Sequence, residues 1–489
     1  MIWKSFRFSK NSRFCREYNR LKMDHLNKKI KIFLVGIGGI GMSGIAEILY
    51  NLGYEVSGSD KKEGSNVSRL KKLGIKIKIG HRSSNIKDSS LVVYSSAIKN
   101  DNPEIKKAIK EKIPVIGRAE MLAELMRMKK TITVAGSHGK TSTISIISEI
   151  FVKSRLDPTV VNGGIINSLG SNTRLGSGDW MIVETDESDG SFINLPSFCG
   201  LITSVDDEHL DYYKNMKNLE HAFKKYIKNI SVFGFSVICS DDKKAYKIAK
   251  KQKRSDHIFY GTDSKAHYKA MNLRRDHTGQ TFDIEISNRN KKTTKYKNIQ
   301  FPMHGRHNLL NALGAITISH KIGINFKFIR KALKGFKGVK RRMTLINEIA
   351  GVKYFDDYAH HPTEITASLR AIKELTNKRV IAVVQPHRFS RINQTYNKFV
   401  NSFRNSDMVI VLPVYAAGEK GIKKINAKSL ALGIQKNSCT NTYSFNHFRK
   451  VQEFLNKEIK EGETVVFMGA GNISELAYDY VNELSKANV

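Results

Sequence analysis

The segment Gly136-Ser-His-Gly139-Lys140-Thr141 joins an apolar run, Thr131-Ile-Thr-Val-Ala135, to a stretch of helical periodicity. Backbone amides of such a loop wrap phosphate oxygens. The lysine ammonium offsets charge at the β- and γ-phosphates, and the threonine hydroxyl ligates Mg²⁺. Val134 stands five positions before Gly139, where a full Walker A sequence has glycine. The Gly-Lys-Thr core between strand and helix nonetheless predicts ATP binding by Gly136, Ser137, His138, Gly139, Lys140, Thr141 and Ser142.

Downstream, Glu184-Thr-Asp186-Glu187-Ser-Asp189 closes another apolar run, and a carboxylate at a strand end can reach Mg²⁺ beside the phosphates. His209, within Asp206-Asp-Glu-His-Leu-Asp211, ends a similar stretch, where a neutral imidazole can hold a second metal. Alone these acids would read as a solvated loop; behind a phosphate loop, Thr141, Glu184 and His209 become the metal candidates, and Lys140, Glu184 and His209 the catalytic ones. In His304-Gly-Arg-His307-Asn308-Leu-Leu-Asn311 the two asparagines fall three apart on one helix face. Their amides can read an adenine edge, or Asn308 can cap the helix. Asp356-Asp357-Tyr358-Ala-His360-His361-Pro362 and Gln385-Pro-His387-Arg388-Phe-Ser-Arg391 place imidazoles and guanidiniums after strands, with Arg388 and Arg391 able to clamp carboxylates or phosphates. The histidine pair lacks a convincing third metal ligand.

Near the start, Gly36-Ile-Gly38-Gly39-Ile-Gly41 follows the apolar run Ile30–Val35 and opens a helix. Glycines admit a diphosphate to the backbone, and the helix N-terminus offers amide donors. Asp60, 19 residues after Gly41, stands where an acid can meet a ribose hydroxyl. A tight turn without a ligand is the alternative.

These motifs need strands and helices in alternation, and the chain provides them. Strands are expected at Ile30–Val35, Tyr54–Ser57, Leu91–Tyr94, Thr131–Ala135, Trp180–Glu184, Val380–Val384, Met408–Leu412 and Thr464–Phe467. Helices are expected at Met42–Leu52, Val67–Leu73, Pro103–Glu111, from about Thr143, and at His307–His320. The polar stretch Asp263–Gln300 alternates, as in Thr281–Ile286, and reads as an antiparallel excursion. The pattern predicts an α/β chain of three units in series: 29–128, 129–340 and 341–489, after a basic extension, 1–28, expected to be disordered.

Length and composition agree with this. At roughly 100–200 residues per domain, the chain holds about two to four domains. Cys15, Cys199, Cys239 and Cys439 are scattered, which argues against a disulfide framework or zinc site and for a reducing cytoplasm. The formal charge of +37 comes from lysines spread along the chain rather than one tract, so no nucleic-acid partner is expected. No apolar run approaches the roughly 18 residues of a membrane span.

Taken in order, these segments resemble the Mur ligase family, in particular its L-alanine-adding branch. Further matching stretches are Ser95-Ser96-Ala-Ile98, Asn102-Pro-Glu104, Arg118–Leu125 and Val414-Tyr-Ala-Ala-Gly-Glu419. The resemblance runs from about Ile30 to the C-terminus. It implies the three-domain Mur ligase architecture: a Rossmann-like N-terminal domain, a P-loop ATPase-like central domain and a Rossmann-like C-terminal domain. It also implies ATP-dependent joining of L-alanine to the lactyl carboxylate of UDP-N-acetylmuramate through an acyl phosphate, with Mg²⁺. The resemblance assigns Gly36, Gly38, Gly39, Gly41, Asp60, Ser95 and Ser96 to the UDP substrate. Asn308 and Asn311 fall to adenine, Arg342 and Asp357 to the nucleotide's phosphate and ribose, and Tyr358, His360, Arg388 and Arg391 to alanine and product. Thr141 and Glu184 would hold one Mg²⁺ and His209 the other. Ser142 replaces a usual threonine and keeps its hydroxyl, whereas Asn472 stands where aspartate is common. A cytoplasmic monomer or homodimer is expected. Competing readings are a ligase that adds a whole tripeptide to the same sugar, a nucleotide-regulated nucleic-acid binder, and a dehydrogenase, which leaves the phosphate loop unexplained.

Overall fold

A computed structural model describes residues 30–487 apart from 96, 100, 169, 170, 254, 255, 288–292, 439 and 440. The basic extension, Ser96, Cys15 and Cys439 therefore lie outside the described residues. The chain forms two compact units. The first takes in the described residues up to Lys129, with Thr159–Gly163 and Asn172–Gly176; the second takes in the rest.

The first unit is built on a five-stranded parallel sheet in the order Lys76–Ile79, Glu55–Asp60, Lys31–Val35, Leu91–Tyr94, Val115–Gly117. Lys31–Val35 is central and buried beyond its first residue, as its unbroken apolar run requires. Strand order reverses there, and open parallel sheets bind ligands at such a reversal. Phe33, Val35, Ile86, Val92 and Ala108 form the core beside it. The helix expected from Met42 begins two residues earlier, at Ile40, so Gly39 is its N-cap.

The second unit contains two sheets. The larger runs through Thr293–Phe301, Gly279–Ser287, Tyr268–Asp276, His257–Gly261, Ile230–Cys239, Ser197–Ile202, Lys130–Ala135 and Trp180–Glu184. From His257–Gly261 to Trp180–Glu184 the pairing is parallel. The strands between Tyr268 and Phe301 pair antiparallel, as the alternation over Asp263–Gln300 predicts. Gly279–Ser287 shows why, since Phe282, Ile284 and Ile286 are buried on one face and their neighbours are not.

The six-stranded sheet runs Thr344–Ile349, Val352–Asp357, Thr464–Met468, Val380–Val384, Met408–Val411, Asn441–Ser444, and only its first pair is antiparallel. Val380–Val384 is buried throughout, with Ala382 and Val384 in one core and Ile381 and Val383 in the other. Cys199 and Cys239 are buried free thiols, each pushed up to about 12 by burial. Among the described residues no helix is long and apolar enough to cross a membrane.

Candidate functional site

In the second unit the phosphate loop joins Lys130–Ala135 to the helix Lys140–Lys153. That helix starts three residues before the Thr143 expected from sequence. Gly139 is its N-cap at φ +85°, in the left-handed region, and a Cβ there would stand 2.3 Å from Asn311 Oδ1. Lys140 and Thr141 thus occupy the first helical turn, where amides and dipole favour an anion. Lys140 Nζ donates to the Gly136 carbonyl at 2.5 Å and to Glu187 Oε1 at 2.8 Å. Burial works against its charge, but the carboxylates of Glu187 and Glu184 outweigh it and raise the pKa. The two carboxylates hold the ammonium ionised.

The Thr141 hydroxyl donates to Glu184, lying 3.0 and 3.1 Å from its two oxygens. One hydroxyl facing one carboxylate is a hard-oxygen donor set that fits Mg²⁺. His209 lies apart from this pair in the hydrogen-bond pattern. Together with Glu187 and Glu208 it offers ligand atoms within 4.8 Å of one another. Burial lowers the His209 pKa, leaving a neutral ring able to coordinate. Glu187 Oε2 is buried with no hydrogen-bond partner among the described residues, an orphaned acceptor whose chemistry fits a cation. In the sequence Glu187 and Glu208 stand as members of the acidic runs behind the phosphate loop, among its metal-ligand candidates but outside the named set Thr141, Glu184 and His209.

Asn308 and Asn311 are buried on the helix Arg306–Lys321. Gly305 caps that helix, so the capping alternative for Asn308 fails; its amide donates to the His304 carbonyl at 2.8 Å instead. Asn311 accepts from the Thr143 hydroxyl at 3.4 Å and presses on Gly139, which places it at the loop.

Arg342 and Tyr358 meet with the guanidinium carbon 5.2 Å from the ring centre. Burial opposes the Arg342 charge, but Glu364 and Asp357 raise its pKa. Asp357 is pushed up to about 6 by burial despite Arg342. Its oxygens already accept from the Met343 and Ala359 amides and the Ser368 hydroxyl, at 3.0, 2.7 and 3.1 Å. The expected ribose ligand therefore also braces the segment that carries Arg342.

Around Tyr358 lies a pocket of imidazoles. His360 Nδ1 sits 2.9 Å from the Tyr358 carbonyl, and its ring packs 5.7 Å from that of His387. Burial lowers His360 to about 4 and His387 to about 3, so both are neutral near pH 7. Arg391 Nη1 approaches His387 Nδ1 at 3.0 Å, and Tyr415 stacks on the His387 ring. Arg388, at φ +65°, caps the helix Phe389–Val400 and donates its amide to the Tyr415 carbonyl at 2.9 Å. His387 and Tyr415 were quoted in motifs without a role; only the fold brings them to His360. Asn472 accepts from the Gln385 amide at 2.8 Å, a contact that needs no charge.

The glycine turn of the first unit is drawn inward. Gly36, at φ +76°, donates with Ile37 to the Ser59 carbonyl, at 2.8 and 3.0 Å. Gly38 donates to Asp60 Oδ2 at 2.8 Å, so one oxygen of the expected ribose acid is spent on the turn itself. Asp60 and the glycines form one structure rather than two separate contacts. Gly39 caps the helix, and a Cβ on Gly41 would stand 3.0 Å from Arg118 Nη1. Ser95 follows Leu91–Tyr94, its hydroxyl accepting from the Ala97 amide at 3.4 Å.

Comparison with known proteins gives the family. Residues 31–130 match the Mur ligase family catalytic domain, 134–319 the Mur ligase middle domain, and 341–471 the domain described as Mur ligase, glutamate ligase domain. The UDP-N-acetylmuramate–L-alanine ligase of Brucella anthropi is 42% identical over 455 residues, 93% of this chain and 97% of that protein. The ligase of the same name from Paramagnetospirillum magneticum is 45% identical over 448 residues, 91% of this chain and 94% of that one. Among solved structures, the UDP-N-acetylmuramate–alanine ligase MurC of Thermotoga maritima superposes with a TM-score of 0.78 at 27% identity, covering 94% of this chain and all of that one. A murein peptide ligase from Psychrobacter arcticus shares the fold, with a TM-score of 0.68 at 21% identity over 93% of this chain and 98% of that one. With its three sheets, its phosphate loop and these matches along nearly its whole length, the chain belongs to the Mur ligase family.

Proposed function

We propose that the protein is an ATP-dependent ligase that joins L-alanine to the lactyl carboxylate of UDP-N-acetylmuramate, a step of peptidoglycan precursor synthesis. The observation that carries the reading is the part-buried Lys140 ammonium at the head of its helix, flanked by Glu184 and Glu187, in a chain 42–45% identical to ligases of that name.

The chemistry follows from the charges. A carboxylate is a poor acyl donor, so one of its oxygens attacks the γ-phosphorus of ATP, the bond to ADP breaks, and an acyl phosphate forms. Anions meet at that phosphorus, and Lys140 with the loop amides of Gly136–Ser142 offsets their repulsion. Thr141 and Glu184 would hold one Mg²⁺, and His209 with Glu187 a second, whose charge would add to that of Lys140 there. Asn308 and Asn311 take adenine, and Arg342 and Asp357 take the phosphate and ribose side. The alanine amine then attacks the acyl carbon, and inorganic phosphate leaves with the oxygen it gained. Arg388 and Arg391 hold the alanine carboxylate, while Tyr358 and the neutral His360 and His387 shape the pocket without adding charge. In the first unit Gly36, Gly38, Gly39, Gly41, Asp60 and Ser95 take the UDP part, with Ser96 assigned on sequence alone.

The test is phosphate release from MgATP with UDP-N-acetylmuramate across a panel of amino acids and the tripeptide. Release that requires both the sugar nucleotide and L-alanine, and is lost in Lys140→Ala, supports the reading. Turnover only with the tripeptide moves the protein to the tripeptide-adding class.

A further inference from the structure

The Glu364 carboxylate touches three parts of the site at once. It lies in the first turn of the helix Pro362–Lys373, where sequence logic makes it a capping residue. Oε2 does that work, accepting from the His360 and His361 amides at 3.3 and 3.4 Å. Oε1 points elsewhere. It stands 3.4 Å from Arg342 Nη1 and 3.6 Å from Nδ1 of His138, the histidine of the phosphate loop. His138 Nδ1 is buried and has no hydrogen-bond partner among the described residues, so this carboxylate is the group it faces. The Glu364 side chain is itself only 12% exposed.

A helix cap needs one acceptor oxygen and no charge, and glutamine serves as well as glutamate. A charge placed at 12% exposure, aimed at an imidazole and a guanidinium on other segments, exceeds what capping requires. The neighbouring contacts run the same way. Asp206 Oδ2 lies 3.1 Å from His138 Nε2 and accepts from the Thr363 hydroxyl at 2.6 Å, and Lys398 pairs with Asp207. Thr363 and Glu364, adjacent on one helix turn, thus both reach the phosphate-loop histidine, one through Asp206 and one directly.

We infer that Glu364 is a positioning residue that ties the phosphate loop, through His138, and the nucleotide arginine Arg342 to the His360 side of the acceptor pocket, so that the acyl phosphate is made only where the amine can reach it. The inference rests on the ligase reading above. It requires no new bond: with the tie lost, the acyl phosphate that still forms is exposed to water instead of amine.

The variant that separates this role from capping is Glu364→Gln, which keeps the cap and loses the charge. Product amide and released phosphate are measured together. The wild-type ratio is one phosphate per amide. In the variant the alanine KM rises about tenfold or more, the scale of one lost charge-assisted contact. Phosphate also exceeds amide, while the melting temperature stays close to wild type. An unchanged ratio with unchanged alanine KM overturns the inference and leaves Glu364 a cap. Should Glu364→Gln not fold, Glu364→Asp, which withdraws the charge by one methylene, reads the same ratio. If the wild-type protein turns over no ATP with these substrates, the ligase reading fails by itself. Affinity for a non-hydrolysable ATP analogue then decides the tie: it falls in Glu364→Gln if the charge orients His138 and Arg342, and is unchanged if it does not.

Discussion

Replacing Lys140 by methionine keeps most of the side chain's volume and strips its charge from a contact that is nearly closed to water. The Lys140 and Glu187 side chains are 15% and 2% exposed, with 2.8 Å between Nζ and Oε1. Breaking a buried pair by removing one partner costs about 3–5 kcal/mol, because the other charge is left uncompensated. Protonation limits that cost. Burial holds Glu187 up at about 7 from an ordinary value of 4.5 even beside Lys140, and without the ammonium it is held higher still. A group with a raised folded pKa contributes stability that is present below its unfolded pKa and lost as pH rises through the folded one. Between pH 4.5 and about 7 wild type and variant lose the stability of the protonated carboxyl alike, so the variant's deficit opens above about pH 7 and grows by about 1.4 kcal/mol per pH unit beyond it. For a domain of this size that is a melting temperature about 3–6 °C below wild type at pH 8 from this source. The assay is thermal unfolding in EDTA at pH 5 and pH 8, with Glu187→Gln and the double variant for comparison. The deficit is larger at pH 8 than at pH 5, and pH-independent in the double variant. An equal deficit at both pH values would refute the reasoning, because the loss would then come from packing rather than from a stranded carboxylate.

Gly139→Ala forces a Cβ into the left-handed region against Asn311, which costs about 1–2 kcal/mol of backbone strain. It weakens binding of an ATP analogue by calorimetry more than it lowers the melting temperature. His138 responds to pH in its own window. Burial opposes its charge, but Glu208, Asp206 and Glu364 raise it from 6.5 to about 10. Its contribution is fully present below 6.5 and lost as pH rises through about 10, so urea midpoints of wild type fall more between pH 7 and 10 than those of His138→Gln. Glu184→Gln removes one charge facing Thr141, and the Mg²⁺ concentration for half-maximal phosphate release rises about tenfold or more.

What could be read from the sequence follows burial. Val380–Val384 and Lys31–Val35 are central strands, apolar because both faces are covered, and their runs stand out. Lys76–Ile79 is an edge strand, mostly exposed and lysine-rich, and carries no such signal. Thr141-Ser142-Thr143 has weak helical preference and hides the start of the phosphate-loop helix; the left-handed Gly139 cap and burial in the core override it. The site divides the same way. Lys140, Thr141 and Glu184 were legible because a loop and a strand end fix them locally. His387, Glu187, Asp206 and Glu364 were not, since their meaning lies in partners far along the chain, such as Asp206 with Thr363, 157 residues away. Asp60 and Asp357 stand in the sequence as ligand candidates, and only the fold shows that backbone amides nearby occupy oxygens of both.

The central claim is that this chain activates a carboxylate by phosphorylation before an amine attacks it. Its most direct test is oxygen transfer: UDP-N-acetylmuramate labelled with ¹⁸O in the lactyl carboxylate is turned over with MgATP and L-alanine, and the released phosphate is weighed by mass spectrometry. One ¹⁸O from the carboxylate in each phosphate is the predicted result. Unlabelled phosphate, released alongside amide product, would contradict the acyl phosphate and the account built on it.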